Sequence, residues 1–220
     1  MSYSFQFRDV FAAWEFMLEG LVLTLELSVV TMITGFIIGV AGAAARVYGP
    51  QWLRTIVAIY VEAIRNTPLI VQLFLIFFGL PSAGIKFDAE TAAFVALSIN
   101  LGAYSIEIVR AGLEAIPKSQ IEAGQSLGLS PLQIFRYVVI FPALRLMYPA
   151  LASQFVLLML ATSVVSQISA TDLFHMASII QSRTFRDFEV YIVVAGAYLA
   201  LALLFRLLFA GLCEIVFARR

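Results

Sequence analysis

Five segments of the chain are uncharged and largely apolar, and each forms the centre of a helix long enough to cross a lipid bilayer. The uncharged stretches are residues 27–45, 66–85, 91–106, 146–171 and 190–205. A hydrocarbon core about 30 Å thick needs roughly 20 residues of helix, and only helices or closed barrels satisfy their backbone groups there. Because these runs lack the alternation of barrel strands, they predict an all-α integral membrane protein with five transmembrane helices, at about residues 21–44, 55–80, 92–115, 147–169 and 188–214.

Composition agrees with this assignment. Hydrophobic residues make up 62% of the 220 residues and charged residues 13%, whereas an ordinary soluble domain has roughly 45–50% and about 25%. The formal net charge is zero, and nucleic-acid binding needs a clustered basic surface. We therefore expect the chain to be surrounded by lipid and to bind no nucleic acid.

Basic residues favour one orientation of the helices, because Lys and Arg in short loops are retained on the cytoplasmic side. Five spans place the two ends of the chain on opposite sides of the membrane. With the N-terminus outside and the C-terminus cytoplasmic, most basic loop residues are inside: Arg46, Arg54, Arg110, Lys118, Arg136, Arg145, Arg219 and Arg220. The outer side then has Arg8, Lys86, Arg183 and Arg186. The opposite orientation would reverse this excess, so an external N-terminus is predicted.

The segment between the third and fourth predicted spans, residues 116–145, is too polar to cross the membrane and is expected to fold in the cytoplasm as two short helices. Ser119 and Glu122 have the spacing of a capping box, which predicts that the first helix begins there. Gly128 suits the left-handed residue that ends this helix after about two turns. The Ser-Pro pair that follows predicts the start of a second helix over residues 130–141.

The first of these helices resembles the EAA loop of bacterial ABC importer permeases at residues 122–128, EAGQSLG. That motif reads Glu-Ala-Ala, three residues, Gly, nine residues, a branched aliphatic residue, one residue, then Leu-Pro. This chain has Gly124 for the second Ala, Gly128 in place and Val138 at the aliphatic position. Residues 140–141 are Ile-Phe where Leu-Pro is expected, and a proline follows one place later. We therefore expect the bend into the fourth span to differ locally.

Three further segments resemble the polar amino-acid uptake branch of that superfamily, so the resemblance runs from about residue 21 to the C-terminus. They are residues 60–73 (YVEAIRNTPLIVQL), 103–112 (AYSIEIVRAG) and 184–191 (TFRDFEVY). The resemblance implies a type I ABC importer permease-like fold in the bacterial inner (cytoplasmic) membrane. It also implies that the chain works with a second permease subunit, two ATPase subunits that bind ATP and Mg²⁺, and a periplasmic or extracellular solute-binding protein. The implied cargo is a polar amino acid or a close analogue such as an opine.

The sequence offers no means of hydrolysing ATP, since it has no Gly-rich phosphate loop, paired histidine ligands or nucleophile motif. The chain is therefore expected to be a transport subunit and not an enzyme, without a cofactor or metal of its own. A rigid, capped helix pair can transmit a partner's movement to the spans it joins. The resemblance implies that the ATPase docks on this loop through Ser119, Gln120, Glu122, Ala123, Gly124, Ser126, Leu127 and Gly128. Glu122 and Gly128 also have simpler interpretations, as half of a capping box and as a helix stop.

Two pairs of opposite charges lie three residues apart near span ends, Glu62 with Arg65 and Glu107 with Arg110. Neighbours at this spacing share a helix face and can neutralise each other in the membrane, although such charges also mark transport pathways. Pro68 predicts a kink in the second span, which either serves packing or leaves a carbonyl facing a cavity.

Polar side chains within the spans are candidates for the substrate path, although they also tie helices together. They are Gln72, Asn100, Gln154, Thr162, Ser163, Ser166 and Gln167. Many amino-acid permeases of the branch that this chain resembles have Lys-Asp before the Thr-Ser of the fourth span, and this chain has uncharged residues 159–161 there. That departure favours a heterodimer in which a different permease or the external receptor holds the substrate. His175, the single histidine, is interpreted as a solvated or capping residue in the external loop with Asp172.

Two other classes of protein compete with the importer interpretation. A secondary transporter or channel that works without an ATPase would have embedded carboxylates for a coupling ion, or inverted repeats, and neither is evident. An intramembrane enzyme would need facing catalytic residues inside the spans, and the sequence has no convincing set.

Overall fold

A computed structural model describes residues 4–217 of the chain, so Arg219 and Arg220 lie outside the described residues. Within that range the chain is built from helices and short loops. The helices are α1 (Arg8–Ala12), α2 (Trp14–Tyr48), α3 (Gln51–Arg65), α4 (Leu69–Phe74), α5 (Ala89–Glu114), α6 (Lys118–Ser126), α7 (Pro131–Ile134), α8 (Ile140–Ala161), α9 (Leu173–Thr184) and α10 (Asp187–Phe217). A wider π turn (Leu75–Gly79) and a 3-10 turn (Leu80–Ala83) continue α4, and a second 3-10 turn (Thr162–Ile168) continues α8.

Four helices are long and apolar enough to cross a membrane: α2, α5, the continuous helix Pro131–Ile168, and α10. A fifth span is formed only if Gln51–Arg65 and Leu69–Ala83 count as one broken helix, since the two halves meet at 107°. The chain is therefore an all-α membrane protein with up to five spans. The second predicted span, residues 55–80, falls on this broken pair and is not one helix.

The break between α3 and α4 is closed by side-chain hydrogen bonds. Pro68 has no N–H, so the carbonyl of Ile64, four residues earlier, loses its helical partner. The amide Nε2 of Gln72 donates to that carbonyl at 2.8 Å and to the carbonyl of Thr67 at 3.0 Å. The idea that the freed carbonyl faces a cavity is thus wrong, because Gln72 is buried and bonds it. Satisfied carbonyls let a sharp bend exist inside the helical bundle.

Helix α5 lies at the centre of the bundle. Inside the chain, 61% of its most apolar stretch is buried, against 33% for α2, 33% for Pro131–Ile168 and 22% for α10. The other helices therefore keep large apolar surfaces for lipid or for other subunits.

Small residues bring α2 and α5 into close contact. Gly35 of α2 leaves room for Leu101 of α5, where an added Cβ would lie 2.7 Å from the Leu101 side chain. Gly39 of α2 faces Ser105 of α5 even more closely. Close backbone approach of this kind drives helix association in lipid, where apolar surface alone supplies no preference for another helix over lipid.

We predict that Gly39→Val lowers the melting temperature of the detergent-purified protein. The valine would overlap Ser105, and overpacking of a close contact costs about 1–3 kcal/mol. Gly211→Val in α10 is the matched control, since an added Cβ there meets no atom within 4 Å. Equal melting temperatures for the two variants would contradict the packing described for α2 and α5.

Candidate functional site

The loop after α5 folds into a short helix, α6, that ends in a left-handed glycine. Gly128 has φ +75°. Its N–H donates to the carbonyl of Gln125 at 2.9 Å, and the N–H of Leu129 donates to the carbonyl of Gly124 at 3.1 Å. These two bonds form a Schellman motif, which ends a helix sharply and satisfies its last carbonyls.

The predicted capping box at the start of α6 is wrong. Pro117 is the N-cap residue, without a side-chain hydrogen bond, and Ser119 lies within the first turn. Proline excludes the preceding residues from the helix and pre-sets its own φ, so the N-cap is Pro117, two residues earlier than the Ser119 that the capping-box spacing indicated. A capping box is present at the next helix, where Ser130 Oγ accepts from Gln133 N–H at 3.4 Å and Gln133 Oε1 accepts from Ser130 N–H at 2.8 Å.

Helix α6 packs on α7 through one small residue. Gly124 is buried, and an added Cβ would lie 3.1 Å from the side chain of Ile134. Leu127 stays 79% exposed and Leu132 of α7 75% exposed. The rest of the predicted coupling set is exposed as well: Ser119, Gln120, Glu122, Ala123, Ser126 and Gly128. Helix α6 therefore exposes nearly its whole outer surface, with the apolar side chain of Leu127 at its end and that of Leu132 on the neighbouring α7.

The second loop helix does not stop near Phe141, as the sequence indicated. A wider π turn over Phe135–Val139 joins α7 to α8, and the helix continues without a break from Pro131 to Ile168. The extra residue in this turn lets the helix pass Pro142, which has no N–H to donate. The loop is thus joined rigidly to the fourth span.

A cluster of charges surrounds Glu107 near the end of α5. The carboxylate of Glu107 accepts from Arg110 at 2.7 and 3.2 Å. Arg65 approaches it to 3.9 Å and Arg46 to 4.0 Å. Arg110 also bonds Glu114 at 2.5 Å. One acidic side chain therefore connects α5 with α2 and α3.

The other predicted charge pair, Glu62 with Arg65, does not form. The carboxylate of Glu62 accepts from the amide of Asn66 at 2.9 Å, and Arg65 lies near Glu107 and over the ring of Tyr104, 5.4 Å from its centroid. No ion pair joins Glu62 and Arg65, both within the described residues. Local spacing suggested the pair, but Arg65 lies instead against Glu107 and Tyr104 of α5.

The charge cluster borders an open cavity of ≈ 540 Å³ between α5 and α8. Arg65, Tyr104, Glu107 and Arg110 line one part of it, and Gln154 of α8 is also in its wall. Gln154 is thus a substrate-path candidate that lines the same cavity as these charged groups.

The remaining path candidates fall into two groups. Gln72 and Asn100 contact each other, since Asn100 Nδ2 donates to Gln72 Oε1 at 3.0 Å, and the Nε2 of Gln72 is also engaged at the break. Four others lie on the 3-10 turn that ends the fourth span: Thr162, Ser163, Ser166 and Gln167. The hydroxyls of three of these bond backbone carbonyls three residues earlier. Their role in a substrate path stays a prediction.

A polar cluster of buried Asp172 with His175 and Tyr198 lies at the opposite end of the bundle from α6, and the sequence did not predict it. Asp172 is fully buried and caps α9, accepting from the His175 N–H at 2.9 Å and from the Tyr198 hydroxyl at 3.1 Å. Burial raises the pKa of Asp172, and its hydrogen bonds from the His175 and Phe174 N–H groups oppose that rise. Asp before an apolar run is an N-cap signal, but its contact with Tyr198 on α10 is not visible in sequence. No group of three or more His, Cys, Asp or Glu in residues 4–217 is arranged to hold a metal ion.

Comparison with known proteins identifies the family of this chain. The family model described as binding-protein-dependent transport system inner membrane component matches residues 23–214. A probable glutamine ABC transporter permease, GlnM of Bacillus subtilis, is 38% identical over 189 residues, covering 84% of this chain and 86% of that protein. The L-cystine transport system permease TcyB of the same organism is 37% identical over 186 residues, covering 84% and 80%.

Solved structures share the fold. A crystal structure of an amino acid ABC transporter with histidines matches with a TM-score of 0.89 and 36% identity, over 96% of this chain and 98% of that one. The inward-facing MetNI methionine ABC transporter matches with a TM-score of 0.74 and 23% identity, over 92% and 97%. At that identity the second match speaks for the fold alone.

We predict that Glu107→Gln destabilises the protein more than Glu62→Gln does. The first change removes the counter-charge of three arginines in a partly buried cluster, at a cost of about 1–3 kcal/mol. The second affects an exposed carboxylate bonded to one amide, where changes stay within about 0.5 kcal/mol. Melting temperatures in detergent measure the difference. Similar values for both variants would show that Glu107 does not hold the three helices together.

Proposed function

Because this chain belongs to the family of binding-protein-dependent transport system inner membrane components, we propose how it acts within its complex. The chain is a membrane-spanning permease subunit of an ABC importer, whose family works with separate ATPase subunits and a solute-binding protein. ATP is hydrolysed by those ATPase subunits. The permease must therefore receive their movement through a contact surface at the edge of the membrane.

Helix α6 is the proposed docking element for an ATPase subunit. The observation that carries this proposal is a short, firmly ended helix whose outer residues are exposed, with Leu127 79% exposed at its end. Exposed leucines on a polar surface are suited to a partner's groove, because burying one on binding contributes about 1.5–3 kcal/mol. Glu122 then acts as a surface residue of this contact and not as half of a capping box, while Gly128 both ends α6 and lies at the contact.

The fourth span is the proposed lever. Since the helix Pro131–Ile168 is continuous, a displacement of α6 and α7 reaches the far end of the span without passing through a flexible joint. The 3-10 turn with Ser163 and Ser166 is at that far end. Closure of the ATPases on ATP would move this lever and open the path outward, and hydrolysis would restore the inward-facing state.

We place α6 in the cytoplasm and the N-terminus outside. Basic side chains concentrate at the end of the bundle that carries α6: Arg46, Arg54 and Arg110 line one cavity of ≈ 260 Å³ with Glu114. Retention of Arg and Lys on the cytoplasmic side favours this arrangement. Asp172, α9 and the start of α10 are then external.

The proposed cargo is a polar amino acid, on the basis of relatives whose names specify glutamine and cystine. We favour a heterodimer with a second, different permease. Residues 159–161 are uncharged and Met159 is fully buried, so this part of the fourth span offers no charge to a zwitterionic substrate. The second permease or the external receptor would supply that charge.

Leu127→Glu is predicted to release the ATPase. A charge at the centre of a contact with an apolar groove costs about 2 kcal/mol or more, so recovery of the ATPase with a tagged permease falls roughly tenfold or more. The measurement is quantitative co-purification from detergent, together with ATP-driven uptake in proteoliposomes.

Ile85→Glu is the matched control, since it adds the same charge at another exposed aliphatic residue, at the opposite end of the bundle. It should leave ATPase recovery unchanged. Full recovery with Leu127→Glu would refute the docking role of α6. The same purification identifies the second permease by mass spectrometry.

The orientation predicts that a cysteine at position 125 is closed to reagents outside the cell. In a variant with Cys213→Ser, Gln125→Cys should react with a membrane-impermeant maleimide only after the cells are opened. Ile85→Cys, also exposed, should react in intact cells. Labelling of position 125 in intact cells would reverse the topology and exclude ATPase docking there.

A further inference from the structure

Helix α10 carries one basic side chain, Arg206, after a long apolar run. Residues 190–205 have no charge, and the next charged residue is Glu214. Arg206 is exposed, and within the described residues 4–217 it makes no hydrogen bond or ion pair. A cation in a membrane span is costly unless it finds a counter-charge or reaches the headgroups. The described residues 4–217 therefore leave this guanidinium without a counter-charge.

Arg206 lines a cavity of ≈ 530 Å³ between α8 and α10. The hydroxyls of Tyr148 and Ser153 share the wall with it, and so do the apolar side chains of Val156 and Leu160. The cavity is thus amphipathic, with hydrogen-bonding groups and apolar surface in one groove.

The polar and apolar parts of the cavity are ordered by depth. The hydroxyl of Tyr148 donates a hydrogen bond to the carbonyl of Phe209 at 2.5 Å. Tyr148 of α8 and Phe209 of α10 therefore lie at about the same depth in the membrane. Arg145 lies one turn from Pro149 towards α6, and Leu160 lies about three turns from Pro149 in the opposite direction. The polar end of the groove therefore lies towards the α6 side, and its apolar end lies towards the middle of the bilayer.

We propose that this groove binds an anionic phospholipid of the leaflet next to α6. The phosphate would bond the guanidinium of Arg206, which offers paired donors for a phosphate, with the hydroxyl of Ser153 beside it. An acyl chain would lie along Val156 and Leu160. A carboxylate from a partner permease could match the charge of Arg206, but it would leave the apolar end of the groove uncovered. Basic pockets between spans on the cytoplasmic side are a known kind of lipid headgroup site.

The test is native mass spectrometry of the complete detergent-purified complex, titrated with phosphatidylglycerol or with phosphatidylcholine. We expect the wild-type protein to retain one phosphatidylglycerol per copy of this chain and Arg206→Gln to lose it. Ala202→Phe, which fills the groove without changing its charge, should lose it as well. Arg136→Gln, at an exposed arginine outside the groove, should retain it.

Retention of the lipid by both groove variants, or equal retention of phosphatidylcholine, would overturn the proposal. So would an Arg206→Gln complex that sheds the second permease with its lipid count unchanged, because Arg206 would then pair with a partner's carboxylate. The measurement needs neither substrate nor ATP, so its outcome is separate from that of the transport role.

Discussion

Backbone polar groups inside a bilayer have no water to bond, and this constraint shapes the whole chain. Unbroken helices satisfy it along α2, α5 and α10. At Pro68 the helix cannot satisfy it, and the buried amide of Gln72 takes over the carbonyls of Ile64 and Thr67. Asn100 of α5 then bonds the other end of the same amide. The sharp bend between α3 and α4 is thereby attached to the central helix of the bundle.

That attachment changes the interpretation of the polar residues. A glutamine and an asparagine inside spans look like a substrate path in sequence, yet here they hold a broken helix together. Gln154 is different, because it borders an open cavity beside Arg65 and Glu107. Gln154 therefore stays a candidate for the substrate path that we propose to be shared with a second subunit.

The sequence predicted what depends on composition and local spacing. Four of the charge-free runs fall on the long helices, Gly128 indicated the end of α6, and Ser130 indicated the start of α7. The start of α6 was predicted wrongly because two signals overlapped, and Pro117 prevailed over the spacing of Ser119 and Glu122. The family was identified from short segments of sequence, and the comparisons show it independently.

Contacts between segments that are distant in sequence could not be predicted from the sequence. Arg65 lies three residues from Glu62, but the packing of α3 on α5 brings it to Glu107 instead. The carboxyl group of Asp172 meets Tyr198 across two helices, and no local pattern encodes that contact. Side chains that act over long sequence separations are fixed by the tertiary fold, so their partners appear only in the structure.

Helix α6 is attached to the bundle in two unequal ways, and this asymmetry gives the proposed movement a direction. On one side, α5 ends in the charge cluster where Arg110 binds Glu107 and Glu114, with Arg46 and Arg65 nearby. That cluster ties α5 to α2 and α3, so displacing α5 would break contacts to both. On the other side, the helix Pro131–Ile168 has one third of its apolar stretch buried inside the chain, against 61% for α5. We therefore propose that a force on α6 moves the fourth span more readily than α5, with the charge cluster as the fixed part.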